Sequence, residues 1–253
     1  MNEESLSSRI WRQTGITEHL RGIKATRKLL NELDIHDQSI GLIPGCGTGY
    51  SAKMISVHQP CRLVAADLDG RTLLEARKRL QATPAGHRVH FIRANAQALP
   101  LRGLEADFVL IESMLVFCDI ERVLSEVHRN LGGNGILLVN EMTYLKEPPD
   151  ALQRQVHDLL GIQVYLKETW LEQFSRAGFS ICKVSTHPIR LMDQWISHMV
   201  VDGPVRYFRA SFNGLTDPVI RRQIFNPGVM RTLFSFQKYI GYGLFVLKKE
   251  SAS

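Results

Sequence analysis

Cysteine is scarce in this chain and nowhere paired. Cys46, Cys61, Cys118 and Cys182 stand far apart with no CxxC, and the nine histidines form neither HxxxH nor HExxH. That spacing argues against a disulfide framework or a zinc site. The expectation is a protein without a resident metal, in a reducing, cytoplasmic compartment. Long apolar runs are missing too: the longest, such as Met114 to Cys118, span about five residues, far from the ~20 of a membrane helix. The first ten residues, MNEESLSSRI, have neither the basic start nor the apolar stretch of a signal peptide. No internal repeat, low-complexity tract or block of five Lys/Arg occurs.

What is present is ordinary for a globular protein. Of 253 residues, 44 % are hydrophobic and 22 % charged, which excludes disorder, collagen and coiled coil as whole-chain descriptions. A chain of this length buries enough surface to need no covalent staple. The net charge of +6 is unevenly spread: from Ser185 onward nine Lys/Arg face four acids. A basic end of this kind suits a solvated face, or else an anionic partner.

Short apolar runs recur at 39–43, 62–66, 89–92, 107–111 and 135–139, with amphipathic stretches such as Gly70–Gln81 and Ile120–Leu131 between them. Strands alternating with helices predict βαβ units and a parallel sheet. Lys167–Ala177 reads as a further helix capped by Gly178, Phe179–Val184 as a strand and Gly243–Lys248 as the last one. Two regions break the rhythm. Residues 1–37 are patterned as helix. Residues 189–238, with seven aromatics and Gly/Pro breaks at 203–204 and 227–228, read as a helical excursion covering something.

The chemistry concentrates where strands end. IGLIPGCGTGYSA (40–52) is a β-run leading into a glycine-rich turn and a helix start. Glycines 45, 47 and 49 permit a tight turn that a ligand can approach, and helix-start N–H groups bind polar or anionic groups. The spacing is GxGxG, with Tyr50 where the dinucleotide pattern GxGxxG needs glycine, and no Walker lysine is present. NAD and ATP are therefore disfavoured. Asp67, at the end of the second run and 22 residues after Gly45, is placed to accept both hydroxyls of a ribose. Asp69 fits a helix cap better.

These residues resemble the class I S-adenosylmethionine-dependent methyltransferases. Gly45-Cys46-Gly47-Thr48-Gly49 matches their first motif, and Asp67, followed by Leu68, their ribose acid. Arg93–Leu101, RANAQALPL, is similar to the segment that contacts adenine, with Asn95 and Ala96 at the contact positions. ADFVLIESMLVF (106–117), LGGNGILLVNEMT (131–143) and GYGLFVLKK (241–249) match the fourth, fifth and terminal strands. The resemblance covers about residues 20–185 and 240–249. Within the family, the chain is most similar to the type 11 small-molecule branch. Its GGLxAT, ESVL and NExTxLKxPP segments correspond to GIKAT (22–26), ESML (112–115) and NEMTYLKEPP (140–149). Three positions depart from pattern: Ile43 replaces the acid two residues before the first glycine, Asn95 stands in an acidic position, and Arg21 replaces a glycine.

The resemblance implies a Rossmann-like α/β fold: a seven-stranded, mostly parallel sheet with an antiparallel last strand, helices on both faces and a helical cover. It implies one methyltransferase domain over 1–253. Residues 1–37 form an N-terminal helical segment, 38–188 and 239–249 the core, and 189–238 an insertion over the acceptor site. The implied cofactor is S-adenosylmethionine, contacted by Thr26, Gly45, Cys46, Gly47, Thr48, Gly49, Asp67, Leu68, Asn95, Ala96 and Glu112. Methyl transfer is an in-line displacement at a sulfonium carbon, sometimes with proton removal from the acceptor. Glu141 is the candidate general base and Tyr144 a candidate wall of the acceptor pocket; Glu112 could instead face the acceptor. Tyr165, Trp195, Trp11, His19, Arg206 and Arg209 are weaker candidates. The chain lacks the [DNS]PP[YFW] and Pro-Cys signatures of nucleic-acid methylation. The expected partner is thus a small, anionic or aromatic acceptor, and the expected state a monomer or homodimer. The alternatives are an RNA-modifying methyltransferase using the basic end, or a cofactor-binding protein without turnover.

Overall fold

The computed structural model describes residues 6, 9–10, 22–81, 83–189 and 212–250. Strands β1 (Ile40–Pro44), β2 (Arg62–Asp67), β3 (Val89–Arg93), β4 (Ala106–Glu112), β5 (Leu131–Tyr144), β7 (Phe179–Pro188) and β8 (Ile240–Lys249) lie in the order β3-β2-β1-β4-β5-β8-β7. The two-residue β6 (Tyr165–Leu166) pairs with β5 and makes the sheet eight-stranded. β8 runs antiparallel to both β5 and β7, and the remaining pairs are parallel.

The helices are α1 (Gly22–Leu30), α2 (Tyr50–His58), α3 (Gly70–Gln81), α4 (Ile120–Asn130), α5 (Asp150–Leu160), α6 (Lys167–Arg176), α7 (Pro218–Ile224) and α8 (Pro227–Phe236). Side chains of a strand alternate between faces, and β4 shows what this does to a strand buried on both sides. Phe108 and Leu110 join the core under α1, α2 and α3, while Val109 and Ile111 join the core under α4, α5, α6 and α8. All four are at most 1 % exposed, as expected of a central parallel strand. α4 spends Ile120, Val123, Leu124 and Val127 on the second core. Its start is fixed by Asp119, whose side chain accepts the Arg122 N–H.

Several boundaries differ from the sequence expectation: β5 spans Leu131–Tyr144 rather than 135–139, and β8 spans Ile240–Lys249 rather than starting at Gly243. Among the described residues of the N-terminal segment, 6, 9–10 and 22–30 are helical, and the helix ends before Leu33, which lies in a bend; residues 11–21 are outside the described residues. β7 continues to Pro188 rather than ending at Val184, because its pairing with β8 runs on to Pro188↔Gly241. β6 is too short to show any alternation. Of the 189–238 excursion, 190–211 lie outside the described residues, with Trp195, Arg206 and Arg209; the described remainder holds α7 and α8. α8 sets Phe236 edge-on to Tyr144, ring centroids 6.1 Å apart. Asp217 caps α7 by accepting from Val219 and Ile220, and Arg9 ion-pairs with it at 2.9 Å. Among the described residues no helix is long and apolar enough to cross a membrane.

Candidate functional site

The strand order reverses between β1 and β4, whose neighbours diverge from that point. In doubly wound sheets the crevice at the carboxyl ends of the strands beside such a reversal is where ligands bind. The glycine turn sits there. Gly45, Gly47 and Gly49 have φ of +66°, +53° and +74°, a region closed to most L side chains. At Gly49 a side chain would also meet α3, since a Cβ there would lie 2.7 Å from that of Ala76. At Gly45 a Cβ would lie 2.5 Å from the Met114 sulfur. The turn is fastened to β2 twice: Cys46 N–H donates to Ala66 O at 2.9 Å and Gly47 N–H to Asp67 Oδ2 at 2.8 Å. α2 starts at Tyr50 directly behind it, with no side-chain cap on its first amides.

Asp67 thus already serves the turn with one oxygen; the other accepts the Asp69 N–H at 3.0 Å. Each oxygen retains a further lone pair. Burial pushes its carboxyl above the ordinary aspartate range, although the Asp69 and Gly47 amides oppose this. Burial, and then the Asp67 charge, push the Cys46 thiol far up, so it stays protonated and inert as a nucleophile. Thr48 is buried within reach of Arg79, 3.4 Å from its hydroxyl. Leu68 is 65 % exposed at the rim, an apolar surface beside Asp67.

The segment after β3 forms the next side. Ala94 N–H donates to Asp67 O, and Asn95 Oδ1 accepts from Gln97 N–H at 2.9 Å; Ala96 is half-buried. A clamp from α4 holds the backbone at Leu99 and Leu101. Glu126 Oε2 accepts the Leu99 N–H at 2.8 Å, while Arg129 donates to Leu99 O and Leu101 O at 2.9 and 2.5 Å. The two ion-pair at 2.6 Å, and the Arg129 hydrogen bond holds the Glu126 carboxyl below its usual range. In the sequence this pair is indistinguishable from a solvated i,i+3 pair.

Glu112, at the end of β4, is 4 % exposed. Its carboxylate accepts from Thr26 Oγ1 of α1 at 2.6 Å and Ser51 Oγ of α2 at 2.5 Å. It therefore joins the two helices that flank the glycine turn. Ser51 carries no signal of this role in the sequence, because a serine in the first turn of a helix has no distinguishing pattern.

The two expected catalytic residues, Glu141 and Tyr144, are both buried. Glu141 is 0 % exposed. Its Oε2 accepts from Leu115 N–H at 2.7 Å and its Oε1 from Met142 N–H at 2.8 Å. Burial pushes the carboxyl up to about 7, against the pull of the Met142, Leu115, Met114 and Val116 amides. In the structure both carboxylate oxygens are engaged with backbone amides, one of them in the loop after β4. Tyr144 lies four residues beyond the last β4–β5 pair, Glu112↔Asn140, about 13 Å farther along the strand. It is 5 % exposed, packed under Phe236, and burial raises its hydroxyl pKa. It is a core side chain under α8 rather than an open wall. Tyr165 packs edge-on to fully buried Trp170 and belongs to the same core. Trp11 and His19 lie outside the described residues.

Among the described residues no group of three or more His, Cys, Asp or Glu is arranged to hold a metal ion. A cavity of about 390 Å³ opens at the opposite ends of the strands, beside Glu32, Asp34, Glu105 and Asp107. It is remote from the glycine turn and from the crevice where the fold binds ligands.

Comparison with known proteins agrees with this geometry. Residues 42–139 match the methyltransferase domain model of the type 11 family. An uncharacterized methyltransferase of Bacillus subtilis, YodH, is 31 % identical over 144 residues, 56 % of this chain and 60 % of that one. An uncharacterized protein of Haemophilus influenzae is 26 % identical over 163 residues, 62 % of this chain and 65 % of that one. The chain thus matches less than two thirds of the length of these two relatives. Among solved structures, an S-adenosylmethionine-dependent methyltransferase from Thiobacillus denitrificans in complex with S-adenosylhomocysteine superposes with a TM-score of 0.72. The sequences are 16 % identical, and the match covers 99 % of this chain and 100 % of that one. Residues 42–139 are thus similar in sequence to a methyltransferase domain, and the sheet is similar in fold to that of an S-adenosylmethionine-dependent methyltransferase.

Proposed function

We propose that the protein transfers a methyl group from S-adenosylmethionine to a small-molecule acceptor. The observation that carries this reading is the Gly47–Asp67 hydrogen bond, which joins a left-handed glycine turn to an acid at the switch point of the sheet. The residues present fit the cofactor. The turn has glycine at 45, 47 and 49 with Cys46 and Thr48 buried, Asp67 keeps acceptor capacity for ribose hydroxyls, and Leu68 offers an apolar surface beside it. Gly45, Cys46, Gly47, Thr48, Gly49, Asp67, Leu68, Asn95 and Ala96 would hold it, with Thr26 and Glu112 under its amino-acid end. Bound there, S-adenosylmethionine supplies a methyl group activated on a sulfonium centre.

The chain's own contribution is alignment and the exclusion of water. The Glu126–Arg129 clamp keeps the segment after β3 in one place. Glu112 ties α1 and α2 to β4. α8, resting on Tyr144 through Phe236, would close the acceptor side and help to select the acceptor. With Glu141 enclosed, this reading places no side-chain base on β5. It suits an acceptor already nucleophilic in its neutral or ionised form. The bound S-adenosylhomocysteine of the Thiobacillus denitrificans protein and the methyltransferase name of YodH support the reading.

The basic last quarter of the chain favours one second reading, an RNA acceptor. A single panel separates the two. S-adenosylhomocysteine release should rise with small O-, N-, S- or C-nucleophiles and stay at background with total RNA. Turnover on RNA, falling steeply with salt, would favour the second reading. No turnover on any acceptor would contradict both.

A further inference from the structure

We propose that Glu141 is a positioning residue, whose buried carboxylate gathers the backbone N–H groups of the loop after β4 and thereby sets the wall that Ser113 and Met114 present to the cofactor pocket. The proposal rests on the cofactor reading above and extends it to a residue outside the pocket.

Its geometry is specific. β5 outruns β4, so Glu141 lies one residue beyond the Glu112↔Asn140 pair and on the opposite face from Asn140. There its oxygens meet the 115–117 turn, taking the Leu115 N–H at 2.7 Å, with the Met114 and Val116 amides also turned toward it. Its other oxygen takes the Met142 N–H. The β8 residue opposite in register, Gly243, brings no side chain. The titratable group that feels its charge is Cys118, whose thiol is pushed up to about 11 by burial first and then by Glu141 and Asp119. A carboxylate held by amides alone is an acceptor only; once protonated it becomes a donor at one oxygen and loses amide bonds there.

The loop so held is not relaxed. Ser113 has φ of +52°, a conformation a non-glycine residue keeps only when its surroundings impose it. Ser113 N–H is bonded to Asn140 O, and Gln163 N–H to Val116 O. Between these ties Met114 is carried directly over Gly45, its sulfur 2.5 Å from where a Cβ would stand. The side chain touching the first glycine of the cofactor turn is thus positioned by a carboxylate 27 residues away in the chain, on the next strand. Releasing the amides would free Met114 to shift against Gly45.

Two readouts on the full-length protein test this. Backbone amide resonances of Leu115 and Met142 should move together between pH 5.5 and 8.5, with a midpoint near 7. S-adenosylhomocysteine affinity should fall in parallel as the pH is lowered. If the ionised form alone binds, the drop from pH 8 to pH 6 is about ten-fold, tracking the competent fraction. In Glu141→Gln the amide titration should vanish, and affinity at pH 8 should be at or below that of the wild type at pH 6. Asp67 titrates in both proteins, so their difference isolates Glu141. If the variant does not fold, the wild-type titration still decides. Amides indifferent to pH while S-adenosylhomocysteine binds would overturn the proposal and leave the cofactor reading standing. So would a variant whose affinity and pH profile match the wild type. Amides that titrate in a protein that binds no S-adenosylhomocysteine at any pH would overturn the cofactor reading, and with it the pocket-wall role.

Discussion

Replacing Asp67 with alanine should weaken S-adenosylhomocysteine binding by about 1–3 kcal/mol, the scale for removing a charged hydrogen-bond partner, or about 5- to 150-fold in Kd. The loss has two sources. The ribose hydroxyls lose their acceptor, and the Gly47 and Asp69 amides lose theirs. Asp67→Asn should fall between the wild type and the alanine variant, because its single acceptor oxygen can serve the Gly47 or the Asp69 amide but not both, and it gives up the charge. Calorimetry on both variants is the check. A folded alanine variant with wild-type affinity would mean that the ribose sits elsewhere.

Gly49→Ala should be among the most damaging single-atom additions in the chain. At φ +74° an alanine is strained, and its Cβ would sit 2.7 Å from the Cβ and 3.1 Å from the Cα of Ala76 on α3. The backbone of α3 cannot step aside as a flexible side-chain tip could. Left-handed strain and overpacking together cost about 2–4 kcal/mol. For a chain of this size that lowers Tm by about 5–15 °C. Thermal unfolding measures it directly, and an unchanged Tm would show that α2 and α3 do not pack as described. Gly103→Ala is the control. Gly103 also has a left-handed φ, +65°, but nothing lies within 4 Å of its Cβ position, so it should cost only the conformational part.

The framework was legible because it is written in periodicity. Gly70–Gln81 is helical over the expected span, since its apolar residues Leu73, Ala76 and Leu80 recur at the spacing of one helix face. The five central strands were legible as short apolar runs. What escaped was any feature without a period. β6 has two residues. The last residues of β7, through His187 and Pro188, are half-buried or exposed and carry no alternation, yet β8 pairs with them.

In the candidate site the same division holds. The glycine turn and Asp67 are contiguous in pattern, whereas the Thr26–Glu112 and Ser51–Glu112 bonds join residues 86 and 61 apart. Nothing local marks a serine or threonine hydroxyl for such a bond. Glu141 illustrates the limit most clearly. As the polar residue at the carboxyl end of an apolar run it invites a catalytic reading. Its enclosure depends on β5 outrunning β4 and on a loop folding back across it, both properties of the assembled sheet.

The central claim is that the crevice over the glycine turn takes S-adenosylmethionine and its product rather than a dinucleotide. Parallel calorimetric titrations of the purified protein with S-adenosylhomocysteine and with NAD test it most directly. The account predicts saturable binding of S-adenosylhomocysteine with one site per chain and no heat of binding with NAD. Saturable binding of NAD with no response to S-adenosylhomocysteine would contradict it.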